Sequence, residues 1–178
     1  IAEARLQVRS HCPAGDPMTL DPPSLSLLCL GTGRGSSAVY QGENSSAFVL
    51  LADNRPLMLI DLGGGVTRSC RTAVGAIPDS VLVTHNHSDH AAELPVVLAV
   101  EAERGHRLRV VAGPAVIPLL EQHRLAELVS TGRPLAHFAQ FITAERPVAL
   151  GDGLEIELLR TRHAEPCYGF LLYDDVGP

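Results

Sequence analysis

The most constraining feature of this chain is a short strand-like segment that runs directly into a cluster of histidines. Residues 80–84 are apolar and valine-rich on both alternating faces, which is typical of a strand buried inside an α/β sheet. The six residues that follow are His85-Asn86-His87-Ser88-Asp89-His90. Because α/β folds place their sites at the carboxyl ends of strands, this order predicts a functional site at one sheet edge.

Hydrophobic patterning predicts alternating strands and helices in the middle of the chain and strand-rich ends. Apolar runs between turn residues predict strands at 24–30, 46–51, 57–60, 108–112, 148–150, 154–160 and 168–173. Helices are expected at 66–74, 89–104 and 115–129. The polar segment 52–56 favours a hairpin. We therefore predict one mixed α/β domain over residues 24–178, preceded by a poorly ordered segment at 1–23.

Composition narrows the classes of function. The formal net charge of −6 disfavours a surface that grips a nucleic-acid backbone. It leaves room for a nucleotide or another small anion, because a bound metal ion supplies its own positive charge. No apolar run has the length of a membrane span. The four cysteines are widely spaced and are interpreted as reduced, which favours a cytoplasmic location without a membrane partner.

The histidine cluster has the composition of a metal site. His85, His87 and His90 offer imidazoles and Asp89 offers a carboxylate, the side chains that zinc prefers. Residues 85 and 87 can point the same way from an extended backbone, and the two later side chains can face a second position. The alternative is a polar surface turn that happens to contain histidines. Four ligand-type residues within six positions favour the metal site.

The same residues carry a resemblance to a known family. The segment 84–90 matches the HxHxDH signature of the metallo-β-lactamase superfamily, and the flanking segments 30–33, 44–48 and 59–65 resemble its ribonuclease Z and phosphodiesterase branch. The resemblance extends over residues 24–174 and implies an αββα sandwich with a two-metal site at one edge. The family pattern also requires a bridging aspartate and a late histidine, which residues up to 178 do not provide. We therefore expect an incomplete or missing C-terminal half, or a homodimer whose second copy supplies the rest.

The resemblance also implies roles for individual residues. His85 and His87 would bind a first metal ion, together with His163, which follows the strand predicted at 154–160. The second ion would be bound by Asp89 and His90. Asp89 would also be catalytic, because it can orient or deprotonate the attacking water.

Two other patterns lie near this predicted site. The resemblance implies that Asp61, outside the ligand set, supports the metal-binding segment; the simpler interpretation is a polar residue that ends a strand. Gly31, Gly33 and Gly35 lack the spacing of a dinucleotide-binding loop, and no helix is expected behind them. We interpret these glycines as a tight turn close to the site.

The expected activity is metal-dependent hydrolysis of a phosphodiester bond. One or two zinc ions, with manganese or iron as alternatives, would activate water against a small-molecule or nucleotide phosphodiester. RNA fits the resemblance but is disfavoured by the negative charge. A carbonyl substrate such as a lactone, thioester or β-lactam would suit the same site. The remaining alternative is a non-catalytic metal-binding domain, which is favoured if the chain ends at residue 178.

Overall fold

The computed structural model describes residues 3–5 and 23–174. The strands are β1 Glu3–Arg5, β2 Leu25–Gly31, β3 Ala47–Ala52, β4 Arg55–Ile60, β5 Ser80–Val83, β6 Leu108–Ala112, β7 Ala139–Thr143, β8 Val148–Gly151, β9 Leu154–Arg160 and β10 Tyr168–Asp174. The helices are α1 Gly35–Tyr40, α2 Val66–Val74, α3 Ser88–Ala91, α4 Leu94–Glu103, α5 Ile117–His123 and α6 Ala126–Val129, with a 3₁₀ turn at Leu135–His137. None of the helices in this part of the chain combines the length and apolar character needed to cross a membrane.

The strands form two sheets. The larger has the order β1-β2-β3-β4-β5-β6-β7, and the smaller has the order β10-β9-β8. Neighbours from β1 to β4 are antiparallel, including the predicted β3–β4 hairpin, whereas neighbours from β4 to β7 are parallel. The carboxyl ends of β4, β5 and β6 therefore meet at one edge. Asp61, Thr84 and Gly113 follow these three strands directly.

Two hydrophobic layers hold this arrangement together. Val81 and Val83 of β5 face the helices, where they join the core that includes Leu98 of α4. Leu82, on the opposite face of β5, packs between the two sheets with Ile156 of β9. Each such burial stabilises the fold by about 1.5–3 kcal/mol. Burial on both faces explains why polar and apolar residues do not alternate along β5.

The layers are helices, a large sheet and a small sheet, which are three of the four layers of an αββα sandwich. Among residues 3–5 and 23–174, no helix covers the outward face of the smaller sheet. Leu159, Leu171 and Tyr173 alternate with core residues on β9 and β10 and are exposed on that face.

Two helices are each divided where the sequence predicts one. The helix expected at 89–104 is α3 followed by α4. Leu62 N–H donates to His90 O (2.7 Å), and Glu93 N–H donates to Leu62 O (3.0 Å). These bonds occupy backbone groups that a continuous helix would pair internally, and Pro95 sits in the first turn of α4, where it needs no N–H partner.

The helix expected at 115–129 is likewise divided, into α5 and α6, with Arg124 and Leu125 between them. Leu125 N–H bonds back to Leu120 O, five residues earlier (2.9 Å), instead of continuing the α-helical pattern.

Three short elements differ from the sequence expectation. Helix α1 begins at Gly35, where none was expected, and β7 was not predicted. Residues 3–5 pair with β2 as a strand where none was expected, and poor order of the segment 1–23 stays a prediction. The other residues of the segment 1–22 lie outside the described part of the chain.

Candidate metal centre

Three imidazoles from two separate stretches of chain converge at the carboxyl edge of the larger sheet. His85 and His87 lie in the histidine loop (residues 84–90) after β5, and His163 lies in the β9–β10 loop (residues 161–167). One nitrogen from each ring lies within 4.8 Å of the others. The ring centroids are 4.6 Å apart for His85 and His163 and 5.0 Å apart for His87 and His163. The geometry required for a shared cation is therefore present.

The spacing of the nitrogens suits a metal ion. His85 Nε2 lies 3.2 Å from His87 Nδ1. Two nitrogens bound at about 2.0–2.1 Å to one tetrahedral zinc ion are separated by about 3.3 Å. His85 is buried and only 4% exposed, whereas His87 and His163 are exposed at the rim. A cation at this point would be reached from solvent on one side only.

The protonated nitrogen of His85 follows from its neighbours. Thr84 Oγ1 lies 3.0 and 2.9 Å from the two carboxylate oxygens of Asp61, and its single hydroxyl hydrogen is donated there. Thr84 Oγ1 is then the acceptor for His85 Nδ1–H at 3.0 Å. His85 Nε2 is left without a proton and faces His87. This chain of hydrogen bonds prepares His85 to bind a cation through Nε2.

Asp61 also acts on His90 directly. The Nδ1–H group of His90 donates to Asp61 Oδ2 at 2.6 Å, which leaves Nε2 as the bare nitrogen. His90 Nε2 lies 3.8 Å from Asp89 Oδ2. The rings of His85 and His90 have centroids only 4.0 Å apart. Asp89 and His90 therefore border the three-histidine group, where the second ion was expected.

The pKa values of His85 and His90 are shifted in opposite directions. Burial, followed by the charges of His90, His163 and His87, lowers the pKa of His85 to about 4, so its imidazole is neutral near pH 7. Burial also acts to lower the pKa of His90, but the hydrogen bond and charge of Asp61 and the charge of Asp89 raise it overall.

The fold positions the histidine loop from several directions. Gly35 N–H donates to Asp89 Oδ2 at 3.0 Å, so the glycine-rich segment lies beside the site, with Gly35 at the start of helix α1 instead of in a turn. The Arg124 guanidinium donates to Asn86 O (2.7 Å) and Ser88 Oγ (3.1 Å). From the smaller sheet, Tyr168 N–H donates to Thr84 O at 3.0 Å.

Sequence reasoning missed Arg124, Gly35 as a hydrogen-bond donor, and Glu165. Glu165 Oε1 lies 3.4 Å from His87 Nε2. Its only sequence signal is a carboxylate two residues after the candidate ligand His163. Arg124 had no usable signal, because its contact depends on the break between α5 and α6.

The architecture and the site define a metallo-β-lactamase-fold protein. The family model described as anti-Pycsar protein Apyc1 matches residues 25–177. The chain therefore belongs to the Apyc1 family.

Individual proteins are similar over most of this chain. The ribonuclease Z of Lactobacillus helveticus is 26% identical over 161 residues, covering 86% of this chain and 50% of the relative. Anti-Pycsar protein Apyc1 of Paenibacillus harenae is 30% identical over 151 residues, covering 80% and 62%. The metallo-β-lactamase fold protein YhfI of Bacillus subtilis superposes with a TM-score of 0.66 at 20% identity, covering 85% of this chain and 58% of that structure. The chain thus spans about half to three fifths of the length of these relatives.

Proposed function

We propose that this chain hydrolyses phosphodiester bonds with the help of divalent metal ions. The observation that carries the proposal is the convergence of His85, His87 and His163 at the carboxyl edge of the larger sheet. Membership of the Apyc1 family and similarity to proteins named ribonuclease Z support the choice of a phosphodiester.

In this proposal the three converging histidines hold one ion, and Asp89 with His90 contributes to a second. Zinc is the proposed metal, because imidazole and carboxylate are its usual ligands; manganese and iron are the alternatives. When bound, such ions lower the pKa of water and neutralise charge on phosphoryl oxygens. Zinc as the metal, a homodimer and a cytoplasmic location stay predictions.

The protein groups have separable tasks in this reaction. Asp89 orients the attacking water and accepts its proton, and Gly35 N–H fixes the position of one carboxylate oxygen, Oδ2. Asp61 orients His85 through Thr84, and it orients His90 directly. Both rings then present an Nε2 atom that carries no proton. No large rearrangement of the histidine loop is needed for these tasks, because its backbone is already bonded to three neighbouring elements.

We further propose that the substrate is a nucleotide phosphodiester, and specifically a cyclic nucleotide. Family membership supports this class. The net charge of −6 also favours a small anionic substrate over a long RNA, because RNA binding relies on many Lys and Arg contacts to phosphate. The exposed rims of His87 and His163 leave the site accessible to such a molecule.

The test is hydrolysis by the zinc-loaded chain of four substrates: bis-p-nitrophenyl phosphate, a cyclic nucleotide, a lactone and a chromogenic β-lactam. We expect turnover of the first two. Asp89→Ala should abolish this turnover, while Asp79→Ala, at the exposed opposite end of β5, should keep it. Hydrolysis of the lactone or β-lactam alone would replace the phosphodiester with a carbonyl substrate. Near-normal turnover by Asp89→Ala would contradict the role of Asp89.

A further inference from the structure

Glu165 lies beside the histidine group on a loop that is closely tied to it. The loop is closed by a hydrogen bond from Thr161 N–H to Cys167 O (2.9 Å), and the next residue bonds to Thr84 O in the histidine loop. The Glu165 side chain is 23% exposed. Its backbone N–H points to His163 Nδ1 at 3.4 Å. Glu165 therefore touches the site with both its backbone and its side chain.

One carboxylate oxygen of Glu165 is buried and lacks a hydrogen-bond partner among the described residues. An unpaired buried acceptor is unfavourable by about 1–3 kcal/mol, and more when it is charged. His87 Nε2 lies 3.4 Å from this oxygen. The ring nitrogen of His87 is thus placed to satisfy the orphan acceptor.

The two nitrogens of His87 face different partners. Nδ1 faces His85 Nε2 at 3.2 Å, on the side of the three-histidine group. Nε2 faces Glu165 on the other side of the ring. A neutral imidazole carries one proton, and a carboxylate acceptor favours the tautomer with that proton on Nε2. The lone pair of Nδ1 is then directed to the converging nitrogens.

We propose that Glu165 is a positioning residue that orients His87 as a metal ligand and fixes its tautomer. This inference rests on the proposed metal-dependent function. In this role Glu165 would correspond to Asp61, which hydrogen-bonds to His90 directly and to His85 through Thr84. Carboxylates that accept a hydrogen bond from a metal-bound histidine raise its basicity, and their loss typically reduces metal affinity 10- to 100-fold.

The test measures cobalt(II) affinity, by titration against a competing chelator, for the whole chain and three variants. We expect Glu165→Ala to bind cobalt about 10- to 100-fold more weakly, with a changed visible absorption spectrum. Glu165→Gln should fall between Glu165→Ala and the unchanged chain, because its amide oxygen still accepts a hydrogen bond. Glu155→Gln, which removes an exposed carboxylate from β9, is the matched control and should bind like the unchanged chain.

A second measurement separates positioning from a merely structural role. The metal-free variants should keep the melting temperature of the unchanged chain, and ¹⁵N chemical shifts should show loss of the Nε2–H tautomer of His87 in Glu165→Ala. Unchanged cobalt affinity in Glu165→Ala would overturn the inference. A chain that binds cobalt without hydrolysing phosphodiesters would contradict the proposed function alone, whereas absence of cobalt binding would contradict both.

Discussion

The two loops that bring histidines to the site are held in different ways. The histidine loop follows a strand buried on both faces, and Asp61, Leu62, Gly35 and Arg124 all hydrogen-bond to it. The β9–β10 loop joins two strands of the smaller sheet, and His163 is exposed on it. The histidine loop is therefore anchored to the core, whereas the β9–β10 loop reaches the site from the surface.

This difference implies a division of labour between the loops. The histidine loop shares its supports with the fold, so damage to it should reduce both stability and metal binding. The hydrogen bonds of the β9–β10 loop run mainly within the loop itself and its candidate ligand His163 faces solvent, so damage to it should weaken the site and leave the fold intact. The predictions below test this division, and the last one serves as a reference away from both loops.

The largest effect is expected where the histidine loop touches the loop after β4. A Cβ atom on Gly63 would lie 2.1 Å from Asp89 O, so Gly63→Ala must displace backbone. We expect a loss of about 3 kcal/mol in the free energy of unfolding, measured by urea denaturation. Gly35→Ala is the control, because its Cβ would meet Asp89 at an ordinary 3.7 Å. Equal stability of the two variants would contradict a rigid histidine loop.

The next effect compares one ligand from each loop. His85→Ala should lose metal binding and also unfold more readily, because the ring is buried among the other histidines. His163→Ala should keep its stability and retain weak metal binding through the histidine loop. The readouts are metal content by mass spectrometry and thermal unfolding of the metal-free chains. The division fails if His163→Ala is destabilised as much as His85→Ala.

A smaller effect is expected from the outer support of the histidine loop. Asp61 has a φ of 64°, which asparagine also adopts readily, so Asp61→Asn preserves the backbone. Its amide nitrogen would place a donor against either Thr84 N–H or His90 Nδ1–H, and metal affinity should fall about 10- to 100-fold. Asp53→Asn is a close control, because Asp53 also has a positive φ (49°) and accepts a backbone N–H, from Ser24. Equal metal affinity of both variants would exclude a role for Asp61.

Much of this fold could be predicted because its strands are short apolar runs between turn residues. The bounds of α2, β6 and β9 agree with the sequence reading, as does the β3–β4 hairpin. The break between α3 and α4 could not be predicted, because it depends on Leu62 bonding to His90 and Glu93 from a distant strand end. The break between α5 and α6, where Leu125 N–H bonds back to Leu120 O, has no signal in the apolar pattern. Helix α1 begins with Gly-Ser-Ser, residues with low helix propensity, and no apolar period indicates it.

The candidate site, like the fold, could be predicted from the sequence only in part. Residues 85–90 indicate a metal site because four residues of ligand type stand within six positions, and His163 was predicted from the resemblance in the order of motifs. Their meeting in space depends on how the smaller sheet packs on the larger one. The resemblance implied a supporting role for Asp61, but its individual partners, Thr84 and His90, and the approach of Glu165 to His87 could not be predicted. Each contact joins residues at least 23 positions apart across a strand end or loop.

The smallest effect is expected at the far end of β5, away from both loops. His106 bonds to Glu101 of α4 (3.2 Å) and to Asp79 before β5 (2.9 Å). The hydrogen bond to Glu101 raises the pKa of His106, and Asp79 raises it further despite the opposing effect of burial. Because the pKa of His106 is raised in the folded state, its interactions stabilise the fold below the unfolded pKa of about 6.5. This stabilisation is lost as pH rises through the folded pKa. The ring is 39% exposed, so solvent screening limits the effect to about 0.5 kcal/mol.

Urea unfolding of His106→Gln should therefore show a lower free energy of unfolding than the unchanged chain at pH 6 and no difference at pH 9, with metal affinity unchanged. A deficit that grows with pH would contradict this linkage, and a change in metal affinity would show that the far end of β5 also supports the histidine loop.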